Sequence, residues 1–139
     1  MGLADLLPWS KSKKKGVKHG KNATLLFFQG MKKVEIAIPI GTGTYTVGRA
    51  TPEEKEKFFK KFDDPWVRLI GNKIAIKPMK SHDIISRKHV IIKWNPFTQS
   101  HDLEPKHRCE INNKRVVEPK FLKRKDKVKL AGMLEFQYI

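Results

Sequence analysis

Lys127-Val128-Lys129-Leu130 and, after three intervening residues, Leu134-Glu135-Phe136-Gln137-Tyr138 alternate charged or polar side chains with apolar ones. A period of two marks a strand with one face on a core and the other in solvent. The same signal recurs upstream. Val34, Ile36 and Ile38 alternate with Glu35 and Ala37, and Tyr45 and Val47 alternate after a turn containing Gly41 and Gly43. Leu25 to Phe28 is a short apolar run, Gly30-Met31 suits a hairpin turn, and Pro39 either ends its strand or lies on a sheet edge. Further strands are expected at Trp66–Ile70, at Lys73–Lys77 with Ile74 and Ile76 inward, and at Val90–Trp94 before a turn at Asn95-Pro96. Cys109 to Ile111 leads into Asn112-Asn113, a pair suited to a tight hairpin because Asn tolerates positive φ. The stretch holding His101 and His107 reads as loop. Many short strands joined by turns predict an all-β sandwich or barrel.

One segment breaks the β pattern. In Thr51-Pro52-Glu53-Glu54, Thr serves as N-cap, Pro takes the first helical position and Glu stands three residues after the cap. Phe58, Phe59 and Phe62 follow at helical spacing, and Asp63-Asp64-Pro65 stops the run. A single helix over about residues 51–62 is therefore expected, with its aromatic stripe packed on the sandwich.

The chain has 139 residues, of which 39% are hydrophobic and 32% charged, enough for one core. Lys and Arg number 30 against 14 Asp and Glu, a formal charge of +16. Such an excess favours polyanionic partners. Residues 1–22 read as a basic, mobile tail carrying Lys13, Lys14, Lys15 and Lys18, candidate contacts for nucleic acid, and residues 23–139 as the domain. A second basic cluster spans Lys120–Lys129. The single cysteine, Cys109, forms no intrachain disulfide, so a reducing, cytoplasmic setting is expected. No apolar stretch is long enough to span a membrane.

No paired carboxylates, phosphate-loop glycine pattern or metal-ligand spacing stands out, so a non-catalytic protein without cofactor or metal is expected. The one grouping in which to seek a metal is His101 and His107 beside Asp102 and Glu104. Candidate anion ligands are more specific. Arg49 follows Gly48 at a strand end, where a planar guanidinium fork can grip a phosphate. Ser86 offers a short hydroxyl and an exposed backbone N–H, Arg87 adds charge, and His89 stands where the loop re-enters a sheet.

In order along the chain, Val47-Gly48-Arg49, then Ser86-Arg87-Lys88-His89-Val90, then Ile111-Asn112-Asn113-Lys114-Arg115-Val116, then Leu122 to Ile139 with Asp126, Val128, Leu130, Gly132 and Phe136 resemble the forkhead-associated (FHA) domain over residues 23–139. The resemblance implies an FHA-like β-sandwich of antiparallel strands that binds phosphothreonine peptides, with a phosphothreonine-containing protein as partner. It implies phosphate contacts from Arg49 and Ser86, an adjoining contact from Arg87, and structural support from Gly48, His89 and Asn112. Where the family has a Ser/Thr-Asn-Gly-Thr segment whose Asn grips the peptide, this chain has Lys106-His107-Arg108-Cys109. Lys106, His107 and Arg108 are then the substitute donors. Arg49 and Ser86 stand 37 positions apart (86 − 49), a gap lengthened by the helix. Two alternatives remain: a nucleic-acid binder using the sandwich as scaffold, and an assembly module that binds its partner without phosphate.

Overall fold

The computed structural model describes residues 22–29, 34–61, 65–78 and 85–139. The tail lysines Lys13, Lys14, Lys15 and Lys18, the Gly30-Met31 turn and Phe62 lie outside them. Among the described residues, twelve strands and one helix follow in chain order: β1 (Ala23–Gln29), β2 (Val34–Ile40), β3 (Thr44–Arg49), α1 (Pro52–Phe58), β4 (Val67–Ile70), β5 (Lys73–Ile76), β6 (Val90–Asn95), β7 (Ser100–Pro105), β8 (Cys109–Ile111), β9 (Lys114–Arg115), β10 (Lys120–Phe121), β11 (Lys127–Leu130) and β12 (Leu134–Tyr138). They form two six-stranded sheets, ordered β9-β8-β11-β12-β1-β2 and β10-β7-β6-β3-β5-β4. All pairings are antiparallel except β3 with β5, which run parallel with Thr46 opposite Lys73.

The inner faces follow the period-two pattern. Leu25, Phe27, Val128, Leu130, Phe136 and Tyr138 from the first sheet meet Val47, Ile74, Ile76, Val90, Ile92 and Leu103 from the second. Phe27 is the hub: its ring centroid lies 4.9 Å from Phe136 and 6.0 Å, edge-on, from Trp66. Outward-facing residues of the first sheet pair by charge. Arg115 opposes Glu110, Glu110 opposes Lys129, and Lys129 opposes Glu135, an arrangement that favours this register. Pro39 sits on the edge strand β2, where its missing N–H costs no ladder bond.

Two expectations need correction. The helix is shorter than residues 51–62: it starts as expected but ends at Phe58. Its capping box is complete, with Glu54 N–H donating to Thr51 Oγ1 at 3.2 Å and Thr51 N–H to Glu54 Oε1 at 2.8 Å. Phe59 then leaves helical geometry (φ −126°, ψ 40°) and buries its ring with Ala50 and Ala75, on the outer face of the second sheet. Arg68 fixes this end by donating to the Phe58 carbonyl at 2.7 Å, a cation at the negative end of a helix. The stripe therefore does pack on the sandwich, through Phe58 and Phe59.

The stretch around His101 is strand β7 rather than loop. His101 and Leu103 point inward while Asp102 and Glu104 are half-buried on the outer side. The alternation is regular, but its inward member is a histidine. His101 is fully buried, and its Nε2–H donates to the Gly41 carbonyl at 2.7 Å while Nδ1 accepts from the Tyr138 hydroxyl at 2.8 Å. This pins β7, β12 and the β2–β3 turn together.

Candidate functional site

Gly48-Arg49 ends β3, residues 85–89 lead into β6, residues 105–109 join β7 to β8, and residues 131–133 join β11 to β12. Strand pairing brings these ends to one pole, because Val47 opposes Val90, Val90 opposes Pro105, and Cys109 opposes Leu130.

The backbone around Arg49 is fixed on every side. Its N–H donates to the Ser86 carbonyl at 2.9 Å, its carbonyl accepts from Lys73 Nζ at 3.1 Å, and the next N–H, of Ala50, donates to Ile76 O at 2.9 Å. Lys73 Nζ also pairs with Glu54 Oε1 at 2.8 Å, so the helix cap and the Arg49 carbonyl share one ammonium. Burial opposes ionisation of Glu54, but the hydrogen bonds and charge from Lys73 together with the Thr51 contacts outweigh it and hold the carboxyl below its ordinary value. Arg49 and Ser86, distant in sequence, are thus neighbours.

Gly48 explains how closely they approach. A Cβ added there would fall 2.1 Å from the Arg87 carbonyl oxygen and 2.5 Å from that of Ser86. Only glycine lets the 86–87 backbone lie against β3. The requirement is for space, since Gly48 has no positive φ.

His89 braces the loops from beneath. It is buried, its Nε2–H donates to the Arg108 carbonyl at 2.7 Å, and its Nδ1 accepts the Ser86 N–H at 3.1 Å. The Arg108 carbonyl also accepts from Ala131 N–H at 3.0 Å. The His89 carbonyl takes the N–H groups of Lys106 and His107, at 2.9 and 3.2 Å. His89 thus ties the backbones of Ser86, Lys106, His107 and Arg108 together at one point. One expectation about Ser86 is corrected: its backbone N–H is already spent on His89, which leaves the hydroxyl as the donor Ser86 can offer.

Because Nδ1 of His89 must accept, the brace requires a neutral ring. Burial is the main force holding its pKa below the ordinary 6.5, the Arg108 carbonyl pulls the other way, and His107 adds to the depression. Burial depresses His101 as well, against an upward pull from its Gly41 contact. A histidine depressed in the folded state binds fewer protons there than when unfolded. Its stabilisation is present above the unfolded value of about 6.5 and is lost as pH falls toward the folded value. Denaturant midpoints are expected to drop between pH 7.5 and 5.5, above the range where carboxylates titrate, and His89→Gln should make the drop shallower. A flat wild-type profile would show that neither ring needs to be neutral.

The other expected residues divide. Lys106, His107 and Arg108 are exposed and, with Pro105, Val116 and Val117, line a hollow of about 240 Å³ that Arg115 also enters. Arg115 was not expected: the Asn112–Asn113 turn (φ 52° and 68°) returns the chain so that Arg115 opposes Glu110. Folding that hairpin on paper would have found it. Arg87 instead lines a separate hollow of about 450 Å³ with Lys88, Lys73, Asn72, Ile70 and Thr46. Lys106 pairs with Glu104 at 2.6 Å, and Arg108 lies 3.7 Å from Glu110. Asn112 supports the far end of β8 rather than the loop pole: its Nδ2 donates to Asp126 Oδ1 at 2.9 Å and its Oδ1 accepts Lys127 N–H at 3.0 Å.

The His101–His107 grouping does not exist in space as a ligand set. His101 spends both ring nitrogens inside the core, and His107 is exposed near the loop pole. Among the described residues no three His, Cys, Asp or Glu side chains converge on a metal position. Burial, reinforced by Glu110, pushes the Cys109 thiol up to about 12, which leaves it an unreactive core residue. No helix among the described residues is long and apolar enough to cross a membrane.

The two sheets bring the loops that carry Gly48, Arg49 and Ser86 to one pole. The chain has the forkhead-associated fold. The FHA domain of CT664 from Chlamydia trachomatis superposes with a TM-score of 0.56 at 18% identity, over 84% of this chain and 96% of that one. The FHA domain of an Arabidopsis thaliana hypothetical protein gives 0.56 at 18% identity, over 88% and 90%. The yeast Dun1 FHA domain, in complex with a doubly phosphorylated (pT) peptide derived from Rad53 SCD1, gives 0.56 at 14% identity, over 94% and 82%. No family model matches the sequence, and no curated protein matches it.

Proposed function

We propose that this protein is a non-catalytic reader of phosphothreonine peptides, with Arg49 and Ser86 as the phosphate ligands. The observation that carries the proposal is the clamp between them: the Arg49 N–H bonded to the Ser86 carbonyl, across a glycine that admits no side chain. A phosphate needs donors in a fixed array, and charge-assisted bonds from guanidinium and hydroxyl are the strong ones. The yeast Dun1 complex supports the ligand class for this fold. Lys106 and Arg108, with His107 between them, stand where the family has its peptide-gripping Asn, and Arg115 joins them, so the flanking peptide is held by charge there and Arg87 contacts it from the other hollow.

The test is a titration against matched phosphothreonine, phosphoserine and unphosphorylated peptide pools at about 0.15 M salt, where loose charge attraction is partly screened. The expected result is binding that requires phosphate and prefers threonine. Equal binding of phosphorylated and unphosphorylated pools would overturn the proposal in favour of an assembly module. Within the site, Arg115→Ala is expected to weaken phosphopeptide binding about threefold to tenfold, the range of a partly exposed ionic contact. No change in affinity would remove Arg115 from the ligand's path.

A further inference from the structure

The pole opposite the Arg49 loops is built as carefully and is strongly cationic. The start of β1, the end of β8, the start of β11 and the end of β12 meet there, and Lys114, Lys123, Arg124, Lys125 and Lys127 are all exposed on it. Among the described residues none of the five is in an ion pair. The carboxylate of Asp126, in their midst, is buried and turned inward, accepting Lys123 N–H at 2.8 Å and Asn112 Nδ2 at 2.9 Å.

The Lys123–Asp126 turn holds this charge against its own backbone. Lys125 has a φ of 77°, a left-handed conformation that glycine adopts without strain and lysine does not. That conformation is imposed: the Lys125 N–H donates to the Tyr138 carbonyl at 2.6 Å, and its carbonyl accepts from Gln137 Nε2 at 3.1 Å. Arg124 is also placed, lying 5.1 Å over the Tyr138 ring and donating to the Asn22 carbonyl at 2.9 Å. Asn22 is the residue that six lysines between positions 11 and 21 lead into. The described chain therefore begins, at Asn22, beside these cations, directly after the sequence's densest basic run.

We infer that this pole is a nucleic-acid-binding surface, separate from the phosphopeptide site and independent of it. Mutually repelling cations without carboxylate partners among the described residues, one of them at a position suited to glycine, are stabilised by a polyanion. Four of the five are lysines, which are point charges suited to a phosphate backbone rather than to base edges. A bilayer-binding face would expose apolar rings between its cations for insertion. Here Tyr138 is buried in the core beneath Arg124, and Phe121, 44% exposed, has Lys123 Nζ 5.6 Å from its ring centroid, so cations rather than rings dominate the face. Recognition is thus of the backbone, without sequence preference, and steeply salt-dependent.

The experiment measures binding of the full chain to a fluorescein-labelled mixed-sequence 24-base-pair DNA duplex across a salt series. Vesicles containing 30% phosphatidylserine are measured in parallel. The triple variant K123Q/K125G/K127Q is expected to bind the duplex at least tenfold more weakly at about 0.1 M salt. Its slope of log K against log salt should be shallower by about 2 to 3, close to 0.9 per lost phosphate contact. The single variant Lys125→Gly is expected to bind about twofold to threefold more weakly yet melt about 2 °C higher, because glycine relieves the turn. Weaker binding by a more stable protein excludes unfolding as the cause. Both variants should bind phosphopeptide as wild type does, whatever that affinity proves to be. An unchanged salt slope in the triple variant would overturn the inference, as would binding to vesicles without binding to the duplex.

Discussion

Replacing Arg49 with alanine is expected to lower affinity for a phosphothreonine peptide about 100-fold or more, with the circular dichroism spectrum and melting temperature close to wild type. The magnitude follows from chemistry. A guanidinium makes two parallel charge-assisted hydrogen bonds to a phosphate, each contributing about 1.5–3 kcal/mol, and alanine makes none. The fold should survive because Arg49 is held by its backbone. The bonds to Ser86, from Lys73 and on to Ile76 through Ala50 all use main-chain atoms at positions 49 and 50, which alanine keeps. Arg49→Lys is the informative companion. It retains charge but loses the fork, so it should recover only a small part of the affinity. Ser86→Ala should cost less, about tenfold, since it removes one hydroxyl and leaves the braced backbone in place. If Arg49→Ala bound phosphopeptide like wild type in a calorimetric titration, the phosphate would have to sit elsewhere, and the hollow lined by Lys106 and Arg115 would be the place to look.

Gly48→Ala should lower stability by about 3 kcal/mol or more. The new Cβ would sit 2.1 Å from Arg87 O, 2.4 Å from Arg87 C and 2.5 Å from Ser86 O. All three are backbone atoms, so no side chain can swing away. Overpacking a closed site ordinarily costs about 1–3 kcal/mol. Here relief also requires breaking the Arg49–Ser86 hydrogen bond or the Gly48–Ala75 pairing in the centre of the second sheet. Urea unfolding would measure the loss. A variant that folds should also bind phosphopeptide poorly, since the donors would have moved apart. A midpoint within experimental scatter of wild type would show that the two backbone segments separate at little cost.

The alternating strands announced themselves wherever the inward residues were aliphatic or aromatic, as in β11 and β12. β7 did not, because its inward histidine reads as polar. Its acceptability inside the core depends on the Tyr138 hydroxyl and the Gly41 carbonyl, partners 37 and 60 positions away. The helix start was legible because a capping box is local. Its end was not, because Phe59 leaves the helix to reach Ala50 and Ala75, a tertiary demand. The same contrast holds in the site. Gly48, Arg49, Ser86 and His89 stand in two short recognisable runs. By contrast, Arg115 enters only through the return of a hairpin, and the commitment of the Ser86 N–H to His89 is visible only once the loop is folded.

The carbonyl of Arg108 joins the His89 ring to the 131–133 turn, and the same ring holds the Ser86 amide. A single imidazole thus makes one body of three loops drawn from both sheets. A peptide arriving at this pole need not freeze their main chains, so little conformational entropy of the protein opposes association beyond that of the long cationic side chains. Such a surface favours rapid engagement of an extended, unstructured segment over a slow mutual rearrangement.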